Sequence, residues 1–393
     1  MFLPRKIYPE LKKHLKQKQI TVITGMRRTG KTTLLRQLLK DVSSKNKTYI
    51  DLERLDNREL FSQKNYDNIL RELGARGLSL EEKMYLAIDE IQMLPSAPSV
   101  LKYLYDTFDV KFIVTGSSSY YLKNLFSESM AGRKKIFELY PLDFGEYLDF
   151  HKIFYIKDEK WAGKKFSLIE YERVRYYYEQ FIEFGGFPEV VLANDDKERK
   201  DLLSDIISSY VNIDIKSLAD FRNEKNIYNL MRMLSGRTGT KLDYSKLSRL
   251  SGLSRPTVTS YIDFFEKTYL LERIPVMSKS PDREIVKAQK IYFCDSGIAG
   301  FLSDLDSGSK FENAVFNQLR HQGKLQYFSL KSGREIDFIL AGKIGLEIKE
   351  SPVEQDQAKL DNLCEDAKIS SGRLVGRLAV PKFSDYIWGG EIR

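Results

Sequence analysis

The sequence predicts an α/β chain: a parallel sheet flanked by helices, then a helical segment, a helix-turn-helix element, and a small α/β domain at the C-terminal end. Three observations predict it. Apolar, β-branched runs at 20–25, 47–52, 84–90, 111–116 and 135–140 alternate with stretches of helical spacing, the pattern of a parallel sheet with helices on both faces. The first of these runs enters a glycine-bracketed loop and then a helix with leucines at helical spacing. Near the end, LQYFSLKS, REIDFILAG and KIGLEIKES read as strands between helical patterns.

The 393 residues suffice for two or three domains with cores of their own. Apolar and aromatic residues are plentiful and the charge is mixed, which excludes a disordered chain. No apolar run approaches the length of a membrane span, so no membrane association is expected. The opening MFLPRKIYPELKKHLKQ has neither an apolar core nor a small-residue cleavage site of a secretory signal. Cys294 and Cys364 stand far apart without a CxxC or a nearby histidine. A disulfide framework and a zinc site are therefore not expected, and a reducing cytoplasm fits. The net charge of +8 is compatible with nucleic acid and equally with a lysine-rich surface. Arg5, Lys6, Lys12, Lys13, Lys16 and Lys18 crowd the first twenty residues. Repeats and low-complexity tracts are absent from the sequence; WAGKKFS (161–167) and SGRTGTK (235–241) are the best boundary candidates.

Residues 1–150 read as a P-loop NTPase core. ITVITGMRRTGKTTLLRQLLK carries Gly25-x-x-x-x-Gly30-Lys31-Thr32 between a strand and a helix. Glycines let backbone N–H groups curl around phosphate oxygens, and the helix N-terminus adds positive dipole. Gly25, Arg28, Thr29, Gly30, Lys31, Thr32 and Thr33 are the expected contacts to ATP. Lys31 would neutralise the β/γ-phosphates and Thr32 would hold Mg²⁺. KMYLAIDEIQ ends its strand in Asp89 and Glu90. Asp89 would hold Mg²⁺ through water, and Glu90 would orient and deprotonate the attacking water. In VKFIVTGSSS, Thr115, Ser117 or Ser118 would present a hydroxyl beside the γ-phosphate, Ser117 being preferred. A helix is expected next. Arg133 then precedes the last strand, where a cation could reach a triphosphate on a neighbouring subunit of a homo-oligomer; an arginine in that role is worth about 10³–10⁵ in rate.

GMRRTGKTT, LAIDEIQ, FIVTGSSS, AGRKK and LYPLDFGEYL together resemble the AAA-type P-loop ATPases of archaea and bacteria. The resemblance covers nearly the whole chain. It implies an ATPase core followed by a helical lid, a winged helix and a nuclease-like domain. Residues 151–235 would be the lid, with aromatic and aliphatic residues at three-four spacing. EFGGFPEVV interrupts them. By the resemblance, Gly186-Phe187-Pro188 is a nucleotide-sensing turn with Pro188 near the adenine; by its own residues it is a helix-breaking loop.

Residues 236–284 read as helix, Gly252 turn, helix and strands. Ser254 can cap the second helix and Pro256 suits its first turn. Thr257, Ser260 and Tyr261 are expected to face outward if Val258, Ile262 and Phe265 face in. Arg255 and Lys267 could meet DNA phosphates, with Asp263 and Glu266 offsetting them. Joining the lid to the last domain is the competing role.

Residues 285–393 follow an α-β-β-β-α-β order. Period two sets Glu347 and Lys349 on one face of their strand, and a hairpin would bring Asp337 beside them. Glu312 lies on the preceding helix. Two carboxylates can hold Mg²⁺ or Mn²⁺, and Lys349 would orient or activate a metal-bound water. The set Glu312, Asp337, Glu347, Lys349 resembles the PD-(D/E)XK nuclease superfamily. Charged pairs on an exposed hairpin face, which are ordinary sheet stabilisers, are the alternative. Two functions therefore stay open. One is an ATPase acting on or binding nucleic acid, with a metal-dependent nuclease domain. The other is a nucleotide-driven switch or adaptor whose last domain is structural.

Overall fold

In the computed structural model of the chain, the described residues are 2–63, 65–117, 132–156, 161–215, 224–278, 284 and 288–393. The helix expected after Ser117 lies outside them. The chain forms two compact units, and the first comprises Met1–Tyr140, Asn212–Asp220 and Lys267–Tyr269.

The first unit holds a five-stranded sheet of β1 (Ile20–Thr24), β2 (Lys47–Asp51), β3 (Met84–Asp89), β4 (Val110–Gly116) and β5 (Lys134–Glu138). Their spatial order is β2-β3-β4-β1-β5, and every pairing is parallel. The helices are α1 (Tyr8–His14), α2 (Lys31–Asp41), α3 (Leu55–Phe61), α4 (Tyr66–Ala75) and α5 (Ala97–Thr107). Alternation along the strands assigns the layers. Val22, Leu86, Ile88, Phe112 and Val114 pack with Leu60, Leu73, Leu101 and Leu104 of α3–α5. Ile23, Ala87 and Ile113 pack with Leu11 of α1 and Leu34, Leu35 and Leu38 of α2. The strands expected from the sequence are those observed, shifted at their ends by a residue or two.

The second unit comprises Pro141–Val211, Phe221–Glu266 and Leu270–Arg393. The segments read from the sequence as lid, helix-turn-helix and terminal domain fall inside it, apart from the two short stretches that group with the first unit. Its helices are α6 (Phe144–Phe150), α7 (Leu168–Phe184), α8 (Pro188–Val191), α9 (Asp196–Ser209), α10 (Glu224–Ser235), α11 (Tyr244–Ser251), α12 (Arg255–Lys267), α13 (Ser296–Leu302), α14 (Ser307–Leu319) and α15 (Glu354–Ala367).

Between α11 and α12, Gly252 adopts the left-handed conformation (φ 69°) that ends a helix cheaply. Ser254 Oγ accepts from Thr257 N at 3.2 Å, the cap expected at the next start. One expectation is corrected here: Tyr261 is buried with Val258, Ile262 and Phe265, because α12 packs an apolar face wider than a single stripe. Asp263 and Glu266 do not stand as free charges either. Both pair with Arg273, at 2.8 Å for Asp263. β6 (Leu271–Ile274) then pairs antiparallel with β7 (Lys290–Phe293).

The last sheet has the order β12-β11-β10-β9-β8, with β8 (Leu325–Ser329), β9 (Glu335–Leu340), β10 (Ile344–Lys349), β11 (Ser371–Gly376) and β12 (Ile387–Trp388). Ile336, Ile339 and Leu374 pack against Leu360, Leu363 and Cys364 of α15. Tyr292, Phe316 and Phe338 stack among themselves.

Candidate functional site

The nucleotide loop lies at the C-terminal end of β1, where a parallel sheet presents its ligand crevice. Gly25 is required sterically: a Cβ there would stand 2.0 Å from Leu139 O, just past β5. Gly30 takes φ +95° as the residue preceding α2. Arg28 is also left-handed (φ 63°). Thr29 Oγ1 donates to Met26 O at 2.9 Å, tightening the turn. Lys31 is buried, and its Nζ donates to Gly25 O and Met26 O, each at 2.9 Å. Burial lowers the pKa of this ammonium, against the pull of Glu90 and Asp214. Thr32 is half-buried in the first turn of α2, and Thr33 is exposed beside it. An ammonium at a helix N-terminus beside a glycine loop suits a polyphosphate, whose oxygens would replace the two loop carbonyls as acceptors from Nζ.

The acidic pair is held firmly. Asp89 Oδ2 accepts from Tyr49 OH at 2.8 Å, and Asp89 Oδ1 accepts from Thr115 Oγ1. Glu90 N donates to the same Thr115 Oγ1 at 3.1 Å. Glu90 itself is left-handed (φ 53°), a conformation that costs a non-glycine residue on the order of 1 kcal/mol or more and that the surrounding bonds must hold. Its Oε2 accepts from Gln92 Nε2, which also reaches Ser117 Oγ at 3.0 Å. Thr115 and Ser117 are therefore both bonded into this acidic cluster; Ser118 lies outside the described residues.

Asp214 and Arg5 are among the residues of the site that escaped the sequence reading. Asp214, which is buried, stands on a wide helical turn, Tyr210–Ile215, after α9. It accepts from Ser117 Oγ at 2.7 Å and forms an ion pair with Arg27 Nε at 3.1 Å. Burial raises its carboxyl, against Arg27 and the Ser117 bond. Arg5, read only as one of a basic cluster, is buried; its Nη1 donates to Thr29 O at 2.9 Å and its Nη2 to Tyr140 O at 2.7 Å. Neither has a local signal, because each is fixed by a partner far along the chain.

Arg133 is placed elsewhere. Its carbonyl accepts from Ile20 N at 2.8 Å, at the N-terminal edge of the sheet, opposite the loop at Gly25. Its guanidinium pairs with Asp106 at 3.2 Å. It is therefore not part of the nucleotide site of its own chain. Pro188 opens α8 in the second unit. The glycines before it have a local reason: a Cβ on Gly185 would meet the Asp295 carboxylate at 2.0 Å, and one on Gly186 would meet Leu142 O at 2.1 Å. Asp295 Oδ2 accepts from Gly186 N at 2.7 Å, and burial pushes its carboxyl up to about 6.

In the second unit, the pairing Leu346↔Phe338 leads Asp337 to the level of Glu347, and Asp337 Oδ2 accepts from Ile348 N at 3.0 Å. Lys349 Nζ lies 2.8 Å from Glu347 Oε1. Tyr292 OH donates to Glu312 Oε1 at 2.6 Å. Burial, then Asp337, push Glu312 up to about 8 and Glu347 up to about 7. The sequence reading missed the cation among them. Lys290 Nζ of β7 lies 2.8 Å from Glu335, 3.2 Å from Asp337 and 3.9 Å from Glu312. Burial alone would lower this ammonium; Asp337, Glu312 and Glu335 overturn that and raise it. Glu312, Asp337 and Glu347 do not converge as a ligand set: as the side chains stand, with Lys290 among the acids, no group of three acid, histidine or cysteine side chains among the described residues is placed to hold a metal ion.

The glycine loop closed on Lys31, the acidic end of β3 and the five-stranded parallel sheet give the first unit the fold of a P-loop nucleotide-binding core. Residues 17–148 match the family described as AAA domain, and residues 175–309 match a Domain of unknown function (DUF8612). An uncharacterized protein of Methanocaldococcus jannaschii is 28% identical over 375 residues, spanning 91% of this chain and 81% of its own. An uncharacterized protein of Haemophilus influenzae is 26% identical over 357 residues, spanning 86% and 85%. Among solved structures, the Aeropyrum pernix ORC1 protein in complex with DNA aligns at a TM-score of 0.33 and 12% identity, over 75% of this chain and 90% of that one. No helix among the described residues is long and apolar enough to cross a membrane.

Proposed function

We propose that the chain is a Mg²⁺-dependent ATPase whose second unit works as a nucleotide-driven switch or adaptor. The observation that carries the hydrolytic part is Glu90. It is buried at the end of β3 in a left-handed conformation, and Thr115 and Gln92 hold its backbone and carboxylate. In this reading Lys31 neutralises the β/γ-phosphates, Thr32 and Asp89 hold the metal, and Glu90 orients and deprotonates water. Mg²⁺, when bound, supplies charge neutralisation to the phosphoryl group. Arg133 acts, if the chain assembles, on a triphosphate held by another copy.

The test is paired. Glu90→Gln is expected to keep ATP binding and lose about 10²–10⁴ in turnover. Lys31→Ala is expected to lose tight binding. Turnover retained by Lys31→Ala in a clean preparation would sink the assignment of this loop.

A second reading adds nucleic acid as the partner. It is favoured by one observation: Lys246, Arg249 and Arg255 are all exposed on α11 and at the start of α12, while the nearby acids Asp263 and Glu266 pair with Arg273. With this element as a winged helix, DNA affinity is expected to fall steeply with salt, each phosphate contact adding about 0.9 to the log–log slope. A DNA affinity that ignores salt, or no affinity at all, would reject it.

A further inference from the structure

We propose that Lys290 is the resident cation of the carboxylate cluster on the second unit. Its ammonium holds the place among Glu312, Glu335 and Asp337 that a divalent metal ion would need. This inference stands on the second unit alone and does not depend on the ATPase reading.

The geometry is that of a coordinated cation. One Nζ stands within 4 Å of three carboxylates that come from α14 and β9. The side chain is 2% exposed. The partners are engaged on their other sides as well. Lys241 Nζ lies 2.8 Å from Glu335 Oε2, and Tyr292 OH and Ile348 N donate to Glu312 and Asp337. Lys349 occupies one oxygen of Glu347.

The lysine has nowhere to withdraw. Its backbone is paired with Ile274 of β6 and bridged to Lys241, and its stem passes the Tyr327 ring, with Nζ 5.6 Å from the ring centroid. A surface lysine would step aside into water; this one would have to leave a paired strand or stay buried without its partners, which is costly. A Mg²⁺ or Mn²⁺ ion on Asp337 Oδ1 would sit about 2.1 Å from that oxygen, and so no farther than roughly 5.3 Å from the ammonium, with both charges out of bulk water. Either cation satisfies these carboxylates, but not both together. The last domain thus keeps the acids of a nuclease-like order while its own chain fills their centre.

The test uses the full-length, nucleotide-free protein and Mn²⁺ as the probe, followed by calorimetric titration and by the Mn²⁺ electron-spin signal. Wild type, Asp337→Asn, Lys290→Met and Lys290→Met/Asp337→Asn are compared. Wild type and Asp337→Asn are expected to titrate identically. Lys290→Met is expected to gain Mn²⁺ binding, and a rise in melting temperature with Mn²⁺, that the double variant loses. Wild-type binding that Asp337→Asn abolishes would overturn the proposal, as would a folded Lys290→Met that gains no binding. Should Lys290→Met fail to fold, the comparison of wild type with Asp337→Asn decides alone. Identical titrations uphold the lysine as the resident cation, and a loss in the variant refutes it.

Discussion

Arg5 is the residue whose removal tests the architecture of the nucleotide loop most directly. It ties the N-terminal segment to Thr29 O in the loop and to Tyr140 O beyond β5. A hydrogen bond from a charged donor contributes about 1.5–3 kcal/mol, and a buried acceptor left without a donor loses a similar amount. Two such bonds at a buried guanidinium make Arg5→Ala cost about 3–6 kcal/mol, a large share of the roughly 5–15 kcal/mol that holds a domain together. Arg5→Lys can keep one contact and is expected to recover about half. The loop, freed at Thr29, must then be ordered by the ligand. Fixing one or two residues costs about 1–2 kcal/mol each, so ATP affinity should fall between about fivefold and about a thousandfold. Tryptophan fluorescence would miss the event, since Trp161 and Trp388 both belong to the second unit. Hydrogen exchange of the β1 amides and titration with a fluorescent ATP analogue are the proper assays. Unchanged exchange and unchanged affinity in Arg5→Ala would refute the clamp and return Arg5 to the solvated basic cluster.

Gly25→Ala and Gly30→Ala should differ sharply. The first sets a Cβ 2.0 Å from Leu139 O, whose residue is tied by its N–H to Thr24 O at 2.7 Å, and should cost ~3 kcal/mol or more. The second meets open space and bears only its left-handed φ, about 1–2 kcal/mol; urea midpoints compare them, and equal losses would contradict the steric account. Asp214→Ala releases Ser117 and, through Gln92, Glu90, so turnover should fall by about tenfold to a hundredfold with ATP binding retained; a loss confined to binding would count against that route. Lys111, whose Nζ meets Gln19 O, is driven by burial down to about 7. The unfolded chain then binds the extra proton between about pH 7 and 10, so this group makes stability rise with pH across that window. Lys111→Met should flatten the rise in urea midpoint.

Much of the first unit was legible because its signals are local. A buried parallel strand is written in consecutive β-branched residues, and a phosphate loop in glycines at fixed spacing. Asp89, Glu90 and Lys31 stand where those patterns put them. What could not be read is what distant segments bring. Asp214 reaches Arg27 and Ser117 from after α9, and Arg5 reaches Thr29 from before α1. The glycines before Pro188 look like a helix breaker in sequence, yet Gly185 is small because Asp295, about 110 residues later, presses against it, and Gly186 because Leu142 O does. Tyr261 shows the opposite error: a helix face was drawn too narrow. Lys290 was passed over because KIYF reads as any strand start, and only the fold sets its ammonium among acids that had been read as metal ligands.

The family match ends at 148, and the sequence suggests a first domain closed by 150, but the first compact unit takes its last pieces from Asn212–Asp220 and Lys267–Tyr269. During synthesis that difference is a delay. At about 5–20 residues per second, a ribosome needs on the order of ten seconds to travel from Tyr140 to Tyr269. For the first part of that interval, until Asp214 is made, the glycine loop and the acidic strand end exist without it, with Arg27 and Ser117 awaiting their partner. A chain cut after Tyr140 would be arrested in that condition permanently, so the nucleotide site matures only after the first stretch of the second unit, Pro141–Val211, has been made.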